Sequence, residues 1–223
     1  MPPKKSNPKG RYIIHSNHTS LPVERQTMHY ISFDPGRKNF DLRIERRNMS
    51  QVGTTCASIK TVIHQRLVVN YARSTHKAGA FIYTTSESTL AIIAILDNVA
   101  RLLEHVDIAL IEGQMDTNRE MMHMQHTIIT YLILRYPNIV VVEPSSKLKS
   151  KNLNAPPNLN RYHLKKWSVV AGKEYATLRG DKKFLRHLKE LEALDIKLDD
   201  STDNLLQIEA MCVEAGYQLT CLD

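Results

Sequence analysis

The chain has 223 residues, 42% hydrophobic and 24% charged, which suits one globular domain and leaves no room for two large ones. No stretch approaches the roughly 18 apolar residues of a membrane span, and the N-terminus is polar where a secretory leader would be apolar, so a soluble, intracellular protein is expected. A formal charge of +7 biases the partners toward polyanions without choosing among them, and Cys56, Cys212 and Cys221, which lack metal-ligand spacing, are expected as free thiols.

Residues 1–28 read as a basic, patternless and disordered arm: Pro2, Pro3, Lys4, Lys5, Pro8, Lys9, Gly10 and Arg11 open it, and Glu24 is its single acid. It is too poor in arginine and serine for an organelle transit peptide. His29-Tyr30-Ile31-Ser32-Phe33 is a short strand stopped by the turn signal Asp34-Pro35-Gly36. From Phe40 to Arg46 the chain alternates Phe40, Leu42 and Ile44 with Asp41, Arg43 and Glu45, the period of a strand. A third β-like stretch lies within Thr54 to Tyr71. Ser86 to Val106 carries Ile92, Leu96, Val99 and Leu103 on one stripe and reads as a helix capped by Ser86 or Ser88.

Ile108 to Ile111 is a buried strand ending at Glu112-Gly113-Gln114, Asp116 to Arg135 a long helix, and Asn138 to Val142 another apolar strand. The helix bears Met121, Met122, Met124, Ile128, Ile129, Leu132 and Ile133, more than one apolar stripe, which makes it a candidate dimer face; His123 and His126 on it lack a third metal partner and read as incidental. Lys147, Lys149 and Lys151 lead into an Asn/Pro-rich loop. Helical pattern then runs from Arg161 to Leu191 with a break near Gly180, and a last helix spans Asp199 to Glu214, ended by Gly216. This order predicts an α/β domain over residues 29–223, with a central mixed five-stranded sheet flanked by helices and a basic helical insertion around 147–194.

Three features carry candidate chemistry. Asp34 and Glu112 each end a predicted strand, where a carboxylate projects from a rigid sheet into a cleft. Asp200 and Asp203 stand three residues apart at a helix start and share a face. Capping and dipole compensation account for one or two acids there, but Asp199, Asp200 and Asp203 exceed that need, and a cation would relieve their repulsion. Oxygen-only ligation of this kind suits Mg²⁺ or Mn²⁺.

Phe33-Asp34-Pro35-Gly36-Arg37-Lys38-Asn39 resembles the opening Asp-x-Gly-x-Lys-Asn motif of RuvC-like Holliday-junction resolvases of the poxvirus and yeast mitochondrial branch. Ile111-Glu112-Gly113-Gln114 resembles that branch's Glu-x-Gln motif, and Lys197 to Asp203 its closing Lys-x-Asp-Asp-x-x-Asp. Order and element type agree from about residue 29 to 214. Either Asp199 or Asp200 can be aligned as the ligand, and the spacing to Asp203 favours Asp200.

The resemblance implies an RNase H-like fold and a homodimeric, structure-selective endonuclease that cuts four-way DNA junctions. It implies two Mg²⁺ ions, replaceable by Mn²⁺, on Asp34, Glu112, Asp200 and Asp203. Arg37, Lys38, Asn39, Gln114 and Arg119 would touch DNA near the site. Lys147, Lys149, Lys151, Arg161, Lys165, Lys166 and Lys173 would serve as backbone contacts. By family analogy the owner is a DNA virus, acting in recombination or concatemer resolution, with a mitochondrial enzyme less favoured. The rival readings are a broader RNase H-like nuclease acting on flaps or RNA–DNA hybrids, and a non-catalytic DNA-binding scaffold.

Overall fold

Three short runs of alternating or apolar residues, set before a helix–strand–helix–strand series, build one twisted sheet with a helical layer on each face. The computed structural model describes residues 12–15, 27–36, 40–48, 59–67, 74–75, 81–82, 85–113, 119–145 and 147–214. Its strands are β1 (Tyr12–Ile14), β2 (Thr27–Asp34), β3 (Phe40–Asn48), β4 (Ile59–Leu67), β5 (Ser74–Thr75), β6 (Phe81–Ile82), β7 (Ile108–Ile111) and β8 (Val140–Pro144). Its helices are α1 (Thr85–Asn98), α2 (Ala100–Leu103), α3 (Arg119–Arg135), α4 (Leu148–Asn152), α5 (Arg161–Leu178), α6 (Lys182–Ala193) and α7 (Asp199–Glu214).

The main sheet has the order β1-β8-β7-β2-β3-β4. β2, β3 and β4 form an antiparallel ladder, while β2, β7 and β8 are parallel neighbours joined by helical crossovers. The expected count of five strands is corrected to six, because β1 adds antiparallel to the outer edge of β8 with Tyr12 opposite Pro144 and Ile14 opposite Val142. Three residues are too few to display an alternation, so Tyr12-Ile13-Ile14 does not stand out within the basic arm. β5 and β6 form a separate two-stranded ribbon.

Strand alternation sorts the apolar side chains onto two faces. Ile31, Phe33, Ala109, Ile111 and Val141 pack with α1 and α3 through Ile92, Leu96, Ile128 and Leu132. Tyr30, Ile108, Leu110, Val140 and Val142 pack on the other face with Leu148, Ala171, Leu206 and Ala210 from α4, α5 and α7. The stripe Ile92, Leu96, Val99 and Leu103 is buried as expected, although the helix breaks at Val99 into α1 and α2. On α3, Met124, Ile128, Ile129 and Leu132 are spent on the sheet and α1, and among its described residues Leu134 is the exposed large apolar side chain. Gly180 takes a positive φ of 69° at the break between α5 and α6, and Asp181 caps α6 by accepting from the Phe184 amide.

The charged half of β3 is buried. Asp41, Arg43, Glu45 and Arg47 face α6 and α7, where Arg43 pairs with Glu45 and Asp181, Arg47 with Glu45 and Glu209, and Glu209 also with Arg179. Arg43 also lies over the Phe184 ring at 4.3 Å. Buried charges persist only when paired, so this chain of ions ties β3 to α5, α6 and α7 in one register.

Candidate active site

Parallel pairing of β2 with β7 places Phe33 opposite Ile111, so the residues that follow, Asp34 and Glu112, stand side by side at the carboxyl ends of adjacent strands. In open α/β sheets that rim is where ligands gather. The start of α7 packs across β2 and β3, and it brings Asp200 and Asp203 to the same rim.

The four acids act on one another. Burial pushes the Asp34 carboxyl well above the usual carboxylate range, and the charges of Glu112, Asp203 and Asp200 push it further. Lys149 from α4 pulls it back. Its Nζ lies 3.2 Å from Asp203 Oδ2 and 3.6 Å from Glu112 Oε1, and its side chain is 14% exposed. Burial by itself would lower the Lys149 ammonium, but Asp203, Glu112 and Asp34 outweigh it and raise the group, so the charge is held at any ordinary pH.

Asp199 turns a different way. It is buried and pairs with Lys165 on α5, whereas Asp200 and Asp203 are the α7 acids whose charges reach Asp34. Asp203 also accepts a hydrogen bond from Ser168 on α5. The approach of α5 to α7 is made possible by Gly172, because a Cβ there would lie 2.6 Å from Thr202 Cβ.

Among the described residues no three His, Cys, Asp or Glu side chains stand as a ready-made metal cage; the carboxylates surround the Lys149 ammonium. The donor set nevertheless fits a hard divalent cation. It consists of carboxylate oxygens, and their mutual repulsion, felt at Asp34 and only partly relieved by one lysine, is what a cation would remove.

Of the residues expected to touch DNA, Lys147, Lys151, Arg161 and Lys166 are exposed, with Lys166 Nζ 4.5 Å from the centre of the exposed Tyr162 ring. Lys173 pairs with Glu192. Lys149, grouped in sequence with its neighbours 147 and 151, lies inside the carboxylate cluster instead. Nothing in a Lys-x-Lys-x-Lys run marks the middle member; the signal that would have separated it is the anchoring of α4 by the buried Leu148. Arg37, Lys38, Asn39 and Gln114 lie outside the described residues, as does the side chain of Arg119, the first residue of α3. His123 is bonded to Thr89 and His126 is exposed.

No protein-family model matches the chain. It is 32% identical over 117 residues to Uncharacterized protein 97L of Invertebrate iridescent virus 3; the match covers 52% of this chain and spans about half of that protein, 52% of its length. Two solved structures share the fold. The Fowlpox virus resolvase, solved with its substrate Holliday junction DNA, superimposes with a TM-score of 0.55 at 14% identity, covering 84% of this chain and 99% of that one. The yeast mitochondrial Holliday junction resolvase gives 0.51 at 13% identity, covering 88% and 83%. The architecture is therefore the expected RNase H-like fold, shared with these two resolvases. Among the described residues no helix is long and apolar enough to cross a membrane.

Proposed function

We propose that this chain is a metal-dependent endonuclease that resolves four-way DNA junctions. The observation that carries the proposal is the convergence of Asp34, Glu112 and Asp203 on Lys149 at the carboxyl ends of β2 and β7, with the charge of Asp200 also reaching Asp34. A likeness of fold to two junction resolvases supports it, and a relative from an iridescent virus supports a role in viral DNA.

In this reading the four carboxylates hold two Mg²⁺ or Mn²⁺ ions. Bound there, the cations supply Lewis-acid polarisation of the phosphate and relief of charge on the leaving 3′ oxygen. Asp34 and Glu112 fix the sheet side of the centre, while Asp200 and Asp203 fix the helix side. Lys149 offsets part of the carboxylates' mutual repulsion before loading, and its ammonium approaches a phosphate oxygen once DNA is bound. Lys147, Lys151, Arg161, Lys165 and Lys166, with Arg37, Lys38, Asn39, Gln114 and Arg119, attract and seat the DNA backbone. The products are a 5′ phosphate and a 3′ hydroxyl. Paired cuts on opposed strands require two such centres, hence a homodimer.

The test incubates purified protein with a labelled four-way junction and a matched linear duplex, in Mg²⁺ or in chelator, beside Asp34→Asn. Paired, metal-dependent nicks on the junction, lost in the variant while junction binding survives, are expected. Binding without cleavage in any divalent metal would overturn the enzyme and leave a scaffold. Equal cutting of flaps or hybrids would replace junction resolution with a broader nuclease activity.

A further inference from the structure

Resting on the metal-dependent reading above, we infer that Asp41 is a positioning residue that sets the rotation of α7 and so aims Asp200 and Asp203 at Asp34. Asp41 is the ladder partner of Asp34 across β2 and β3, and cross-strand partners project to the same face. Its side chain is fully buried and both its oxygens are engaged. Oδ2 accepts from Ser201 Oγ at 2.9 Å, and Oδ1 accepts from Asn204 Nδ2 at 2.6 Å. On β2, the buried Ser32 hydroxyl lies 2.7 Å from Asn204 Oδ1 and 2.6 Å from Gln207 Oε1, extending the network two residues from Asp34.

Helix geometry gives this network its consequence. Ser201 and Asn204 each follow a candidate ligand, Asp200 or Asp203, by one position, about 100° around the helix axis. Clamping positions 201 and 204 to the sheet therefore fixes where 200 and 203 point. Ser201 and Asn204 are fully buried, so water cannot replace partners that are removed. Asp41 is suited to the task because both its oxygens accept, and both partners donate. An asparagine there would set an amide N–H₂ against either the Ser201 hydroxyl or the Asn204 amide. Supports that orient ligands from behind govern metal affinity, as is general for metal sites, and here the support acts through the residues next to the ligands.

The experiment uses the full chain and Mn²⁺ as probe, with free Mn²⁺ followed by electron paramagnetic resonance and junction cleavage measured in parallel. The variants are Asp41→Asn, Asn204→Asp and the double exchange, in which the amide at 41 donates to the carboxylate at 204, Ser201 still finds an acceptor at 41, and Ser32 keeps one at 204. Each single change is expected to weaken Mn²⁺ binding, and to raise the Mn²⁺ needed for half-maximal cleavage, by about 10–100-fold. Cleavage at saturating Mn²⁺ and junction binding in chelator are expected to stay near native. The double exchange is expected to recover most of the loss, since the pair acts as a unit. Ser201→Ala, which removes one donor and no charge, gives the same direction with a smaller effect and serves if Asp41→Asn does not fold.

Native Mn²⁺ affinity in Asp41→Asn, or in Ser201→Ala where that variant stands in for it, overturns the positioning role, as does a double exchange as weak as the singles. A native chain that binds Mn²⁺ and cuts no DNA overturns the nuclease while the role of Asp41 stands on the binding data. A native chain that binds no Mn²⁺ overturns both.

Discussion

Asp34 stands among three other acids, and Lys149 is the cation that draws its carboxyl back down. These two residues have opposite effects on the metal-free protein. The folded state holds a proton on Asp34 at pH values where the unfolded chain has already released it, because burial and its neighbours raise the folded value. Stability from this group therefore falls as pH rises from the ordinary carboxylate range through the raised folded value, and levels off above it. Asp34→Asn never ionises, so in chelator at pH 8 it should melt above the native chain, by a few degrees if the relief is about 1 kcal/mol. The gap should narrow as the pH approaches 4. Lys149→Met takes the balancing cation out of the cluster and should be less stable by about 1–3 kcal/mol, below the roughly 3–5 kcal/mol for breaking a fully buried pair because the side chain keeps some exposure to solvent. Added Mg²⁺ should raise the native melting point and leave Asp34→Asn unmoved. Calorimetry across pH in chelator and in Mg²⁺ reads all of these. The four acids were legible from sequence because strand ends and a helix start are local features. Lys149 was not, because its inward turn depends on where α4 lands.

Elements, more than single side chains, hold the two halves of the centre together. β2 and β7 carry Asp34 and Glu112, while α7 carries the other two acids and is wedged between the sheet and α5. Gly172 is a point of close approach in that wedge. Gly172→Ala sets a methyl 2.6 Å from Thr202 Cβ and 2.7 Å from its Cγ2, so α5 and α7 must part. The expected cost is about 1–3 kcal/mol in urea unfolding. Junction cleavage should fall more than junction binding does, because Thr202 lies between Asp200 and Asp203. The helical runs of α5, α6 and α7 and the break at Gly180 could be read in advance, since helical pattern and a glycine break are local signals. The fate of β3 could not. Its alternation marks a strand, yet alternation alone would leave Asp41, Arg43, Glu45 and Arg47 in water, and their burial depends on Asp181, Ser201, Asn204 and Glu209, more than 130 residues away. Pairing over such separations leaves no local pattern.

For the molecule as a whole, the net charge of +7 and a rim that gathers four acids pull in opposite directions. Under the proposed function the acids would repel DNA at the place of cutting, and exposed lysines would have to supply the attraction. Lys147, Lys151 and Lys166 are exposed, and Lys166 lies over the Tyr162 ring. Changing all three to glutamine should weaken junction and duplex binding alike and flatten the dependence of log K on log salt by about 0.9 for each phosphate that is no longer neutralised. Fluorescence anisotropy over a salt series measures that slope, and an unchanged slope would place the DNA path elsewhere.

The three-residue strand β1 has a bearing on handling as well as on topology. Val140, Val141 and Val142 in β8 are a β-prone apolar run, and without Tyr12–Ile14 their outer backbone groups would be an open template for another copy's strand. The short pairing, with His15 N donating to Val141 O at 2.9 Å, closes that template from within the chain. The segment from Tyr12 to His15 thus covers the outer edge of β8, and a preparation trimmed past residue 15 is expected to self-associate at lower concentration than the full chain, which light scattering would show.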